Sequence, residues 1–547
     1  MTKNLPGSIG ANPRVLIVEN DPHTRIANQA LITHWGYQAI LAEGEGQTLI
    51  CDAKAKARQY CCQLALIDLR LLDDLDEDDN SGLKLANEIK PTASILLSGH
   101  GNQKVLRDLL KNHKDIPFVG KGDPRQAIEQ ALETEARRIC SAKRQLKIGP
   151  LDILTHISQT TFGSLVGDYP DQVTDVLARL FPNANELRIE PLDAKPKSSN
   201  ISSVPRPKSV ILMVYEDDLV SVIVKLARKK KIEIEVEKYH RFIDKRLKGN
   251  FVPRLENHAE LWAIGGASYS YIGDFDVQTF TCYFEENDIK DIEESLRSFF
   301  CNIWGRHYSR AKDRQDVSLF ELYNQVWERD WFDRVKKFQT PNFPHPLADM
   351  IDPIEWLKAN VGEGATYDAS LVKNTRVAVT HGDLHGDNLL VDSKKNPWVI
   401  DFERSGEGHA LQDFIELESD LINRLTYSGE NFDLFFLLCL TVTEQQEIDA
   451  IPLGESFPED LEIRKILNTI STIRSLAREC TTVTDIRQYL LGLLFNTIFR
   501  ATIVTGEHKK HQKRALMLAG MLCHRLDHWG QDWPPKEWES LLKTGRQ

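Results

Sequence analysis

Short apolar runs alternate with stretches of helical spacing from Arg14 to about Arg138. Val15–Val18, Leu64–Ile67, Ser94–Leu97 and Ile116–Val119 are runs of strand length, and Tyr37–Leu41 is a weaker one. Between them, apolar positions such as Ile26, Ala27, Ala30 and Leu31 recur at the spacing of one helix face. Five such alternations predict a doubly wound α/β domain, a five-stranded parallel sheet with helices on both faces. In such sheets functional groups collect at the carboxyl ends of the strands.

The pattern then changes. Residues 141–180 read as a helical connector, broken at Gly149-Pro150 and again at Gly167–Pro170. Leu187–Leu192, Val210–Tyr215 and Leu219–Leu226 read as consecutive strands, Ile232–Leu247 as a helix, and Leu261–Ile272 and Gln278–Phe284 as further strands. From Asp288 onward helical spacing dominates, interrupted by a strand–loop–strand around 377–402. The expected domains are therefore 1–140, 141–180, 181–287 and 288–547: a parallel α/β domain, a connector, a small mixed α+β lobe and a large helical lobe.

A length of 547 residues is too great for one core, and 41% apolar with 27% charged residues is globular composition. The formal net charge of −12 disfavours nucleic acid as a general partner. The longest apolar run, Leu434–Val442, is about half of the ~20 residues a bilayer span needs, so it reads as a buried helix and no membrane association is expected. The polar N-terminus lacks a signal core. Nine scattered cysteines, with no Cys-x-x-Cys pair, point to a reducing cytoplasm.

The strongest chemical signal is His381-Gly382-Asp383-Leu384-His385-Gly386-Asp387-Asn388-Leu389-Leu390, followed by Ile400-Asp401-Phe402-Glu403. Moving a γ-phosphoryl group requires a base for the attacking hydroxyl, metal to offset phosphate charge, and a cation for the nucleotide. Asp383 suits the base. Asn388, five residues on, and Asp401, at the end of the strand Trp398–Ile400, offer the oxygen ligands magnesium prefers. His381 is placed to brace the loop.

These two blocks resemble the aminoglycoside phosphotransferase and choline kinase group of the protein-kinase-like superfamily, over roughly 181–547. The resemblance implies a bilobal fold, ATP and Mg2+, Asp383 as catalytic base, and Asn388 and Asp401 as metal ligands. It also implies a strand lysine for the nucleotide phosphates and a helix glutamate as its partner; Lys225 and Glu235 fit, with Glu233 and Glu237 competing for the second role. Phe284–Asn287 falls where a linker between lobes would run. The chain departs from the pattern at Asp193–Ser209, where a glycine loop is usual and no glycine occurs. Beyond the metal motif, Asp413, Glu416, Glu418 and Asp420 are either acceptor-pocket acids or one polar helix face.

Near the N-terminus, strand candidates end in Glu19-Asn20-Asp21, in Asp68, in Ser98 and in Lys121. Acids, an acceptor aspartate, a hydroxyl and a lysine on one sheet edge suit magnesium-dependent phosphorylation of Asp68. In that order they resemble the receiver domain of two-component response regulators, a flavodoxin-like fold, over about 14–138. The resemblance implies Asp68 as phospho-acceptor and metal ligand, Glu19 and Asn20 as magnesium ligands, Ser98 and Lys121 as sensors, and Phe118 as the switching aromatic. It further implies a cognate histidine kinase or phosphotransfer protein as partner, and a receiver able to pair as a homodimer. Asn20 stands where an acid is usual, and Gly122 where proline is usual. The expected function is a two-component-linked, ATP- and magnesium-dependent phosphotransferase acting on a hydroxyl of an unknown acceptor. The rival is a pseudokinase scaffold that binds nucleotide or partners without catalysis.

Overall fold

The computed structural model describes residues 12–73, 75–76, 78–99, 116–192, 209–217, 220–247, 253–270, 277–315, 317–327, 331–339, 350–361, 375–426, 432–452, 460–503 and 509–538. The loop expected at Asp193–Ser209 lies outside these residues except for Ser209. The chain divides into two compact units. One comprises Met1–Leu192, Arg206–Ile234 and Leu255–Tyr271, the other Asp193–Pro205, Glu235–Arg254 and Ile272–Gln547.

The first unit opens with β1 (Arg14–Val18), β2 (Gln38–Leu41), β3 (Leu64–Asp68), β4 (Ala93–Ser98) and β5 (Phe118–Gly120). They form an all-parallel sheet in the order β2-β1-β3-β4-β5, the flavodoxin-like arrangement. Val15 and Ile17 face one buried cluster, Leu16 and Val18 the other, so the apolar runs are strands covered on both faces.

The same unit contains a six-stranded sheet of β6 (Lys147–Gly149), β7 (Glu186–Pro191), β8 (Ser209–Glu216), β9 (Val220–Arg228), β10 (Leu255–Glu260) and β11 (Ile264–Ser270), ordered β10-β11-β9-β8-β7-β6. Connector residues Phe162, Val176 and Leu177 share one core with Leu187, Leu212 and Val224 of this sheet. Buried polar contacts tie the parallel sheet to the connector helix Asp171–Leu180: Arg14 Nη2 lies 2.8 Å from Asp171, and Gln63 Nε2 lies 2.6 Å from Asp171 and 3.0 Å from Asp175.

The second unit is rich in helices, among them Gln412–Asp420, Phe432–Glu444, Leu461–Thr481, Ile486–Ile503 and Lys509–Asp527. Two small sheets thread between them, β12 (Gln278–Thr279), β15 (Leu389–Val391) and β16 (Pro397–Val399) in one, β13 (Lys312–Arg314), β14 (Thr375–Thr380) and β17 (Gly406–His409) in the other. Among the described residues no helix is long and apolar enough to cross a membrane, and the apolar run Leu434–Val442 is a largely buried helix.

The expected strand Gln278–Phe284 is a correction. Only Gln278–Thr279 is extended; Phe280–Glu286 is a helix, so the expected linker at Phe284–Asn287 is its C-terminal end. The aromatic and β-branched composition favours a strand, but the Thr279 hydroxyl accepts the Cys282 N–H and caps a helix whose Phe280, Tyr283 and Phe284 are buried.

Candidate functional site

In the first unit, the carboxyl ends of β1, β3 and β5 bring three charged side chains together. Lys121 Nζ lies 2.8 Å from Asp68 Oδ2 and 2.9 Å from Glu19 Oε2. Both acids are buried, and Glu19 is pushed up to about 7, first by burial and then by the Asp68 charge, against the pull of Lys121. Ser98 is buried at the end of β4, where its carbonyl accepts the Lys121 N–H at 2.7 Å; Phe118 starts β5 and is partly buried. Asn20 Oδ1 accepts the Asp21 N–H at 3.0 Å. Asp21 itself is exposed and caps the helix Pro22–His34 through the Thr24 N–H at 2.7 Å. Glycine is needed at Gly82, where a Cβ would collide with the Asp68 carbonyl oxygen. Two crowded carboxylates, one raised by the other's charge, form a donor set that fits a hard cation such as magnesium.

In the second unit, β14 delivers the chain into the loop 381–388, and one helix holds that loop. Asp413 accepts the N–H groups of His381 and Gly382, each at 2.9 Å, and the Tyr308 hydroxyl at 2.7 Å. Glu416 accepts the Leu384 N–H at 2.7 Å and Asp420 the Gly386 N–H at 2.8 Å. The spacing 413, 416, 420 places these carboxylates along one face of Gln412–Asp420. Burial and the Asp383 charge push Glu416 up to about 8. Asp420 goes the other way: burial opposes its charge, but Arg424 and Arg500 outweigh it. Arg424 Nη2 sits 2.7 Å from Asp420, and Arg500 Nη1 2.8 Å. Glu418 faces elsewhere, paired with Arg474 at 2.6 Å. None of the four acids is exposed: Asp413, Glu416 and Asp420 form the polar helix face that was one of the two expectations, and that face is buried on the loop backbone.

Within the loop, Asn388 Nδ2 donates to the Asp383 carbonyl at 2.9 Å, which orients the amide. His381 Nε2 lies 3.0 Å from the Ile400 carbonyl, bracing the loop against the end of β16 as the sequence suggested. Just beyond, Asp401 adopts left-handed backbone, φ 72° and ψ 70°. An aspartate there is uncommon and marks a conformation the surroundings impose. Gly382 also has positive φ and passes so close to the Arg404 carbonyl that a Cβ would clash.

Arg404 was not singled out from sequence. Its Nη1 lies 3.0 Å from Asp383 Oδ1. Burial would raise the Asp383 carboxyl, but the guanidinium outweighs it and holds the group below its ordinary value. Its place three residues after Asp401, at the end of the short 3-10 helix Phe402–Arg404, was the available signal.

Lys225 is buried on β9 of the first unit, between register partners Ile211 and Ala267. Glu235 belongs to the second unit. There its Oε1 accepts the Phe402 N–H at 3.4 Å, beside Asp401. Of Glu233, Glu235 and Glu237, only Glu235 is buried. Among the described residues no group of three or more His, Cys, Asp or Glu side chains stands together as a metal cluster. Asp401 and Asn388 instead offer one carboxylate and one amide, oxygen donors of the kind magnesium shares with substrate phosphates.

A family model described as ternary complex associated domain 9 matches residues 346–498. No curated protein matches the chain. Among solved structures, a signal receiver domain of a LuxO repressor protein from Vibrio parahaemolyticus is similar at 22% identity, covering 23% of this chain and 92% of its own, with a TM-score of 0.20. The aminoglycoside phosphotransferase APH(4)-Ia, solved with ADP and hygromycin B, is similar at 9% identity, covering 60% of this chain and 94% of its own, TM-score 0.34. APH(2")-IIia in its GDP and kanamycin complex gives 12% identity, 66% and 99% coverage and TM-score 0.34.

Proposed function

We propose that the chain is a receiver-regulated phosphotransferase that moves the γ-phosphoryl group of ATP to a hydroxyl of a small molecule or protein. Magnesium, when bound, offsets the charge of the phosphates. Asp383 accepts the hydroxyl proton, and its partner Arg404 keeps it ionised to do so. Asn388 and Asp401 hold the metal, Lys225 the nucleotide phosphates, and Glu235 supports that arrangement. In the domain at 1–140, Asp68 receives a phosphoryl group from a histidine kinase or phosphotransfer protein with magnesium held by Glu19, Asn20 and Asp68; Ser98 and Lys121 sense it and Phe118 follows. The remaining boundaries are a connector at 141–180 and kinase-like lobes at 181–287 and 288–547.

The observation that carries this reading is the loop 381–388, whose backbone N–H groups are bound by three carboxylates of one helix while Asp383 is left to pair with Arg404. A loop held so firmly keeps a base in place at low entropic cost during reaction. The test is transfer of labelled phosphate from ATP to a panel of hydroxyl-bearing metabolites and peptides. Asp383→Asn should lower turnover by about 10²–10⁴-fold while nucleotide binding persists. Failure of the wild type to label any acceptor, with nucleotide binding intact, would favour the scaffold.

A further inference from the structure

All nine cysteines are free thiols. The Sγ atoms of Cys301 and Cys480, 179 positions apart in the chain, lie 3.3 Å apart. Cys301 follows the helix Ile289–Arg297 on the segment Ser298–Ile303, and Cys480 is the penultimate residue of the helix Leu461–Thr481. Both are partly exposed, so a small oxidant can reach them. The same two segments are also bridged by Arg297 Nη1 and Glu479 Oε2 at 2.8 Å. The hydrogen bond shared with Cys480 holds the Cys301 thiol below its ordinary value, against burial and the Glu479 charge that would raise it. Burial pushes Cys61, Cys62 and Cys282 upward instead. Two thiols in contact, both within reach of a small oxidant, are the arrangement of an attacking and a resolving cysteine.

We propose that Cys301 and Cys480 are an oxidisable dithiol that closes to a disulfide under peroxide and locks the packing behind the loop 381–388. The Cys301 thiolate attacks one peroxide oxygen; the O–O bond breaks, the second oxygen leaves as water after taking a proton, and Cys301 becomes a sulfenic acid. Cys480 sulfur then attacks the Cys301 sulfur. The sulfenic oxygen leaves as a second water with the Cys480 proton, so two thiols are oxidised by one peroxide. Closure from 3.3 Å to a bond of about 2.05 Å needs little more than a side-chain shift.

The consequence follows from Phe300. Its carbonyl accepts from Cys480 Sγ at 3.7 Å, and its ring stacks on Phe414 with centroids 4.1 Å apart. Phe414 stands next to Asp413 on the helix that binds the loop. A disulfide at Cys301 therefore pins the layer on which that helix rests.

The experiment treats the full chain with hydrogen peroxide, then maps disulfides by mass spectrometry and measures thermal unfolding and hydrogen exchange. The expected result is a peptide linking Cys301 to Cys480, a midpoint raised by several degrees, and slower exchange across 412–420, all reversed by dithiothreitol. Cys301→Ser and Cys480→Ser should each abolish the three changes; Cys51→Ser should abolish none. Oxidation confined to other cysteines would overturn the proposal, as would a linked peptide with an unchanged or lower midpoint and unchanged exchange. Should either serine variant fail to fold, the reduced and oxidised wild type, compared by the same three readouts, still separate these outcomes.

Discussion

The pocket of the parallel sheet and the loop of the second unit use the same parts, carboxylates beside a cation, to opposite electrostatic ends. At the first, one lysine is shared by Glu19 and Asp68, and Glu19 is left near 7, an acid that gains from more positive charge. At the second, three arginines serve three acids: Arg404 pairs with Asp383, Arg500 with Asp420, and Arg424 with both Asp420 and Asp387, and all three acids lie below their ordinary values. The first holds two buried acids against a single lysine. At the second, the loop N–H groups of His381, Gly382, Leu384 and Gly386 are bound and Asp383 is held below its ordinary value.

Breaking the second arrangement at its root gives the largest effect. Asp420→Asn removes the buried carboxylate shared by Arg424 and Arg500, leaving Arg424 its longer contact with Asp387, and should cost about 3–5 kcal/mol, seen in denaturant unfolding of the full chain. Because the Asp420 carboxyl is lowered in the folded protein, its contribution is present at neutral pH and fades only as pH falls through the folded value; the variant should therefore differ most at neutral pH and least in strong acid. A loss under about 1 kcal/mol at neutral pH would contradict the account.

Arg404→Gln is next. Without the guanidinium the Asp383 carboxyl rises, and a base that must be ionised then fails at higher pH. The acid limb of the rate profile should move up by about 1–3 pH units, with little change on the alkaline side. An unmoved limb would mean that Arg404 is only structural.

The smallest change sharpens the contrast at the first site. Asn20→Asp adds a charge to a pocket already crowded with acids and should tighten magnesium binding by about tenfold, measured by titration calorimetry. No gain would mean that residue 20 stays turned to the Asp21 N–H, as Asn20 is here.

The parallel sheet was legible because strands buried on both faces are written as unbroken apolar runs; only β5 began two residues later than the run Ile116–Val119 suggested. β10, Leu-Glu-Asn-His-Ala-Glu, was invisible because an edge strand with half its side chains near solvent carries no apolar run. β6 was missed because three residues after the connector leave too little periodicity to read. At the second site, the loop motif could be read from its residue types, whereas the function of Asp413, Glu416 and Asp420 could not. Carboxylates that bind backbone N–H groups look in sequence like a solvated face, since their partners are main chain and carry no residue identity. The Arg404–Asp383 pair and the Cys301–Cys480 contact are set by tertiary packing, which spacing along the chain does not encode.

In the proposed site Asp401 and Asn388 would present a nucleotide-bound magnesium to Asp383. The most direct measurement is calorimetric titration of the full chain with a non-hydrolysable ATP analogue, with and without magnesium, for the wild type and Asp401→Asn. The account predicts binding that magnesium strengthens in the wild type and leaves unchanged in the variant. Equal binding by the wild type with magnesium and with excess chelator would contradict it.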